Sequence, residues 1–324
     1  MYELEKIIVL CPGGSVTGGP ELLHQLVHEL RESNQDAYVS YYPFGVGFSK
    51  PSAYDCYDAP QSDMIDEEGV GIVVPEISTS YLRKTTRATK FVWWLSVDNY
   101  IGTKHKGFWP DLRGKMGAII KNRRVALRGM RDWNHLTQSA YAADFLAKNG
   151  IKSSPLGDYL SAEHFRPRSG SNTRRNIVAF NPKKGQRTNK MIMEAFSDID
   201  FCPIVNMSRL QVADLLATAK VYMDFGHHPG KDRIPREAAM AGCCVVTGTR
   251  GSAAFYEDVP IDAEFKIEEG SESFMVDLRK AIELIFDDFE GASRRFEHYR
   301  GVISAEQRAF KAQVASLFRK PPRV

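Results

Sequence analysis

Apolar positions along the chain fall into short runs separated by charged or glycine-rich turns, and the runs alternate between two periods. KIIVLC (6–11) is a continuous, β-branched run of the kind a strand needs when a parallel sheet buries both its faces. PGGSVTGG (12–19) interrupts it. Leu22, Leu23, Leu26, Val27 and Leu30 then recur at helical spacing and predict one buried helix face. Pro20 opens that helix and Glu21 stands in its first turn, where a negative charge is favoured. AYVSYY (37–42), GVGIVVPEI (69–77) and KFVWWLSV (90–97) predict further strands, and SAYAADFLAKNGI (139–151) a helix closed by Gly150.

The second half repeats the opening. NIVAF (176–180) reads as a strand, NPKKGQRTN (181–189) as a basic loop and KMIMEAF (190–196) as a helix, with DFCPIV, VYMDF and CCVVTG as later strands. Two halves that each begin strand, polar loop, helix predict an α/β chain of two Rossmann-like domains facing each other across a cleft. The expected boundaries are 1–165, a basic Ser/Gly linker at 166–175, 176–300, and a terminal segment 301–324. In that segment Phe310, Val314, Leu317 and Phe318 mark one helical face that needs an apolar partner.

Composition narrows the function classes more than it names one. At 324 residues, 43% hydrophobic and 26% charged, the chain is an ordinary globular one, and a net charge of +3 does not call for nucleic acid. The 5 cysteines (Cys11, Cys56, Cys202, Cys243, Cys244) have no CxxC spacing, which speaks against zinc or a disulfide framework and suits a reducing compartment. MYELEKIIVLCPGG lacks the basic start of a signal peptide, and no apolar stretch has bilayer length. A cytoplasmic location is expected.

Candidate chemistry gathers at predicted strand ends. Gly13 and Gly18 have GxxxxG spacing, but Gly19 and Pro20 stand where a P-loop needs Lys and Ser or Thr, and no GxGxxG is present. What remains is a small-residue loop, with Gly18 and Gly19, that lets a ligand approach a helix start; a plain tight turn reads equally well. Lys183, Lys184 and Arg187 follow one strand and Lys231 and Arg233 another, so in a parallel sheet they emerge at one edge, placed to meet a diphosphate. Glu237, at a helix start, is placed to accept from ribose hydroxyls or simply to favour the helix dipole. His24 and His28 share a helix face without an evident third ligand and read as surface histidines.

These residues resemble the GT-B glycosyltransferases, and especially the retaining family with an E-x7-E motif. Gly18-Gly19-Pro20-Glu21 looks like the family's donor-phosphate loop, KKG (183–185) like its diphosphate lysine and glycine, and REAAMAGCCVV (236–246) like the second half of E-x7-E. The resemblance puts Glu237 at the ribose-binding glutamate and Gly242 at the helix-ending glycine, and implies a terminal helix that crosses back onto the N-terminal domain. It implies sugar transfer from a nucleotide-diphosphate donor in the C-terminal domain to a saccharide or lipid-linked acceptor at the N-terminal one, in cell-surface polysaccharide or glycolipid synthesis, with no metal and no cofactor.

Two departures stand out: Pro229 occupies the first glutamate position, and Ala179 the place of the usual arginine. Retention or inversion therefore stays open, as do a non-catalytic nucleotide-sugar module and an epimerase acting on the donor alone. Inversion needs a base, for which Asp98 in WWLSVDNY is the candidate, with Asp232 a rival held ionised by its basic neighbours. Trp94, Asn99, His227 and His228 are candidate donor or acceptor contacts. Residues 113–131 carry seven basic groups and no acid, and as a helix would lie against anionic lipid; a solvated face is the plainer reading, and no nucleic-acid motif supports an RNA partner.

Overall fold

The computed structural model describes residues 1–102, 124–165 and 174–321. The chain forms two compact units, Met1–Asp158 with Gln307–Val324, and Tyr159–Glu306.

The first unit is built on β2 (Lys6–Pro12), with the two-residue β1 (Tyr2–Glu3) ahead of it and α1 (Gly18–Glu32) after it. β3 (Ala37–Tyr42), β4 (Val70–Pro75), β5 (Thr89–Trp94), α2 (Val97–Ile101), β6 (Asn134–Thr137), α3 (Ala140–Lys148) and β7 (Ser154–Pro155) follow. The sheet is parallel throughout, in the order β3-β2-β4-β5-β6-β7. Its strands read as unbroken apolar runs because both faces are covered; Ile7, Ile8, Val9 and Leu10 have no exposed surface.

Helix ends follow their sequence signals. The Ser139 hydroxyl accepts from the Ala142 amide at the start of α3. At its end Gly150, with φ of +70°, lets the amides of Gly150 and Ile151 reach the carbonyls of Ala147 and Leu146. α1 buries more than its leucine face. Glu21, His24 and Gln25 are also buried, beneath Tyr54 and Tyr57 of the long connection 43–69. His24 is thus a core residue and not the surface histidine expected: one ring nitrogen lies 2.7 Å from the Pro20 carbonyl and the other 2.7 Å from the Tyr41 hydroxyl.

The second unit runs β8 (Arg175–Phe180), α4 (Gln186–Ala195), β9 (Asp200–Pro203), α5 (Arg209–Thr218), β10 (Ala219–Asp224), α6 (Arg233–Met240), β11 (Cys244–Thr247), α7 (Phe274–Asp287), α8 (Phe289–Arg294) and the first part of α9 (Glu297–Leu317). Its parallel sheet has the order β11-β10-β8-β9. From Gln307 onward the chain belongs to the first unit. There Phe310 stacks on Trp93 at 6.2 Å, and β12 (Phe318–Arg319) pairs with β1, so the apolar face of the terminal helix has its partner. At the end of the expected linker, Arg175 opens β8. Arg174 donates to the carbonyls of Leu216, Ala219 and Ala241, a cation where α5 and α6 end.

Of the basic stretch 113–131, residues 113–123 lie outside the described residues. The remainder holds only a one-turn 3-10 helix at Leu127–Gly129 rather than a basic helix. Among the described residues no helix is long and apolar enough to cross a membrane.

Candidate functional site

In each sheet the strand order reverses beside the first major strand, between β2 and β4 and between β8 and β10. Such switch points open a crevice at the carboxyl ends of the strands. In the second unit the turns that leave β8 and β10 touch backbone to backbone. A Cβ on Gly185 (φ +54°) would lie 2.5 Å from the Phe225 carbonyl oxygen, and one on Gly226 (φ +107°) 2.7 Å from the Gly185 nitrogen. Only glycine fits either place.

That approach carries Lys184 across to the end of β10. Its ammonium lies 2.9 Å from Asp224 Oδ1 and 2.7 Å from Asp232 Oδ2. His228, with no exposed surface, sets Nδ1 2.9 Å from Asp232 Oδ2 and Nε2 3.2 Å from the Asp224 carbonyl oxygen, while the Tyr222 hydroxyl donates to Asp224. Burial opposes charge on Lys184 and on His228. The two aspartates outweigh it, so both hold their protons more tightly than usual. Burial likewise opposes ionisation of Asp232, but Lys184 and His228 prevail and keep it a carboxylate. The Asp224, His228 and Asp232 ligand atoms lie within 4.8 Å of one another, close enough to share a metal ion, and the Lys184 ammonium already bridges the two acids.

The other expected phosphate cations are not alike. Lys231 is 2.6 Å from Glu306, which also holds the fully buried Arg236 at 2.7 Å; sequence reasoning did not single out Arg236 or Glu306. Arg233 lies 3.2 Å from Glu237. Lys183 and Arg187 are exposed at the start of α4, where Gly185 provides no side-chain cap. His228 is corrected as a ligand contact, since both ring nitrogens face Asp224 and Asp232 and no surface is left.

Glu237 lines a cavity of about 520 Å³ between α5 and α6. Ile204, Met207, Val212, Leu216, Ile234 and Met240 give it an apolar lining, and Arg209, Arg233 and His164 add charge or polarity to it. His164, also missed in the sequence, lies 3.5 Å from Glu237 and 3.3 Å from Arg233. Its signal was absent: it belongs to an isolated 3-10 turn (Ala162–Phe165) far from Glu237 in sequence.

In the first unit Gly18 and Gly19 begin α1, whose N-cap Thr17 makes no side-chain capping bond; a Cβ on Gly19 would meet nothing within 4 Å. Gly13 is small for another reason, since a Cβ there would fall 2.2 Å from the Phe48 ring. Asp98, 7% exposed, accepts from the Tyr141 hydroxyl at 3.0 Å, and Asn99 beside it is exposed. Trp94 is corrected: it is wholly buried, donating from Nε1 to His135 at 2.9 Å, and offers no face to a sugar. Glu76, at the end of β4, went unnoticed. It accepts from the Leu95 amide at 3.0 Å and so holds the turn that leads to Asp98, and burial pushes its pKa up to about 7.

No protein-family model and no curated protein sequence matches the chain. Solved structures do. Sucrose-phosphate synthase from Thermosynechococcus elongatus aligns over 97% of this chain and 98% of its own at 10% identity, with a TM-score of 0.66. An α-glucosyltransferase solved with UDP and a 13-mer DNA aligns over 96% and 100% at 7% identity and 0.58. WaaG, a glycosyltransferase involved in lipopolysaccharide biosynthesis, aligns over 95% and 99% at 13% identity and 0.55. At such identities the likeness is one of fold. The chain has the α/β fold of two Rossmann-like domains that GT-B glycosyltransferases share.

Proposed function

We propose that the protein is a glycosyltransferase whose donor is a nucleoside-diphosphate sugar bound by the second unit. The observation that carries this reading is the cavity between α5 and α6, lined in part by Glu237 and the start of α6 where the chain has left β10, in a unit whose strand order reverses between β8 and β10. Its apolar walls suit a nucleobase. The Glu237 carboxylate in its lining suits ribose hydroxyls, which would displace the longer contacts Glu237 makes with His164 and Arg233. The departing diphosphate would be met by Lys183 and Arg187 at the uncapped start of α4, and by the ammonium and guanidinium groups of the β10–α6 loop, with no metal needed. Lys184 supports this arrangement from within, by joining the two loops.

The fold neighbours act in the same direction: a sucrose-phosphate synthase, a starch synthase solved with ADP and acarbose, and an α-glucosyltransferase solved with UDP. On this reading the first unit presents a saccharide or lipid-linked acceptor, and Asp98 is its candidate base, positioned by Tyr141 and by the turn that Glu76 holds.

A second reading rests on a specific observation. Pro229 stands where a motif glutamate is expected, and Lys184, Lys231 and Arg233 each face an acid of the protein, so a nucleotide-binding module without turnover also fits. Incubation with a panel of nucleotide sugars, with and without saccharide acceptors, separates the two. Release of free nucleoside diphosphate by the wild type, abolished in Glu237→Ala, supports the transferase. Binding without release, under every acceptor tried, supports the module.

A further inference from the structure

The cavity that Glu237 lines has a second carboxylate in its lining, Glu163, together with Arg209. Both side chains start from well-fixed backbone. Glu163 stands in the 3-10 turn Ala162–Phe165, just after Leu160, which is buried in the core of the second unit. Arg209 is the first residue of α5, whose start is closed by a capping box between Ser208 and Gln211. Phe165, from the same turn as Glu163, brings an aromatic ring to the lining.

Among the described residues, every contact of the Glu163 carboxylate falls on one oxygen. Oε1 lies 3.3 Å from the Arg209 guanidinium, accepts from the Ser161 hydroxyl at 3.3 Å, and lies 3.5 Å from His164 Nε2. That leaves Oε2 for a ligand, on a side chain that keeps 49% of its surface. The same His164 nitrogen is 3.5 Å from Glu237 Oε1, so the two carboxylate oxygens are separated by at most twice that distance. A donor whose ribose hydroxyls meet Glu237 thus brings the sugar-side edge of its base within reach of Glu163. That edge separates the bases. Guanine carries its N2 amino group there, with the N1 proton beside it, whereas adenine carries C2–H and the pyrimidines carry the O2 carbonyl. A carboxylate offers only lone pairs. It accepts two hydrogen bonds from guanine, finds no donor on this edge of adenine, and repels the O2 of a pyrimidine.

We propose that Glu163 reads the base of the donor and selects guanine, so that the donor is a guanosine-diphosphate sugar. This rests on the donor reading above and adds to it the class of nucleotide. Glu237 takes the ribose, the apolar lining takes the faces of the purine, and Glu163 takes its N1–H and N2–H groups while Arg209 steadies the other carboxylate oxygen.

Calorimetric titration of GDP, IDP, ADP, UDP, CDP and dTDP into the wild type and Glu163→Ala tests this. IDP differs from GDP only in lacking the N2 amino group, so that pair probes one contact without altering the protein. The wild type is expected to bind GDP about tenfold or more tightly than IDP, as fits a hydrogen bond to a charged group, and to bind the pyrimidine diphosphates more weakly still. In Glu163→Ala the advantage of GDP over IDP should shrink to about twofold or less, a ratio that a general loss of affinity does not change. Glu163→Gln, which keeps the shape and removes the charge, should lower the ratio too, and serves if Glu163→Ala does not fold. A wild type that binds GDP and IDP alike, or prefers another base, overturns the proposal, as does a preference for GDP that persists undiminished in a folded Glu163 variant. If the wild type binds none of the six, the donor reading itself falls. Tight binding of a diphosphate other than GDP removes this inference alone.

Discussion

At the residue scale the site is a set of charges that hold one another. Lys184 is the clearest case: it neutralises two carboxylates, one of them buried outright. Lys184→Met should therefore lower stability by roughly 3–5 kcal/mol, the cost of leaving buried charges unpaired, and denaturant unfolding checks it. Removing one of the stranded charges should help, so Lys184→Met combined with Asp232→Asn should recover part of the loss. Glu76 predicts a pH dependence. Its pKa, raised by burial to about 7, means that the folded state holds a proton the unfolded chain has released between the ordinary carboxylate range and pH 7. Stability from this group is thus greatest in acid and falls as pH rises towards 7, by up to about 3 kcal/mol. In Glu76→Gln the fall between pH 5 and 8 should flatten, which melting temperatures across that range would reveal; an unchanged slope would remove Glu76 as its source.

These single-residue features were only partly legible in the sequence. The lysines after β8 and β10 could be placed at one edge because parallel strands fix where loops emerge. Their partners could not. Asp224 closes a strand and reads as part of it, while Glu306 lies on a helix some seventy residues further along, and no local pattern joins it to Lys231 or Arg236. Trp94 misled for the opposite reason. An aromatic at a strand end suits a sugar platform or a core, and only the packing of His135 against it decides.

At the scale of elements, the strands were legible nearly to their ends, because parallel strands covered on both faces are written as unbroken apolar runs. AYVSYY became β3 without change. Helix α4 begins four residues before the periodic stretch that announced it, since the turn at Gly185 starts it within the basic loop. The approach of that turn to Gly226 makes a further prediction. Gly226→Ala places a methyl 2.7 Å from the Gly185 nitrogen at a positive φ, and should cost more than the roughly 1 kcal/mol of an ordinary glycine substitution. Because the same contact sets Lys184 against Asp224, nucleotide affinity should fall along with the unfolding midpoint. Gly19→Ala, where a Cβ meets nothing, is the control and should leave stability within a few tenths of a kcal/mol.

At the scale of the whole molecule, the repeated strand–loop–helix opening made the α/β class and the pair of Rossmann-like units legible, and the fold agrees with glycosyltransferases over nearly their full lengths. Function was less legible because the proposed donor site rests on few side chains: a glutamate that lines a cavity and a handful of cations in loops. Those are the groups on which the account stands, and Glu237 is central among them. The most direct test is calorimetric titration of UDP, GDP, ADP, CDP and dTDP into the wild type and Glu237→Ala, with EDTA present. The account predicts that one diphosphate binds the wild type without added metal and that Glu237→Ala weakens it by about tenfold, as expected for a lost pair of ribose hydrogen bonds. Binding by none of them at millimolar concentration, or equal binding by the variant, would contradict it.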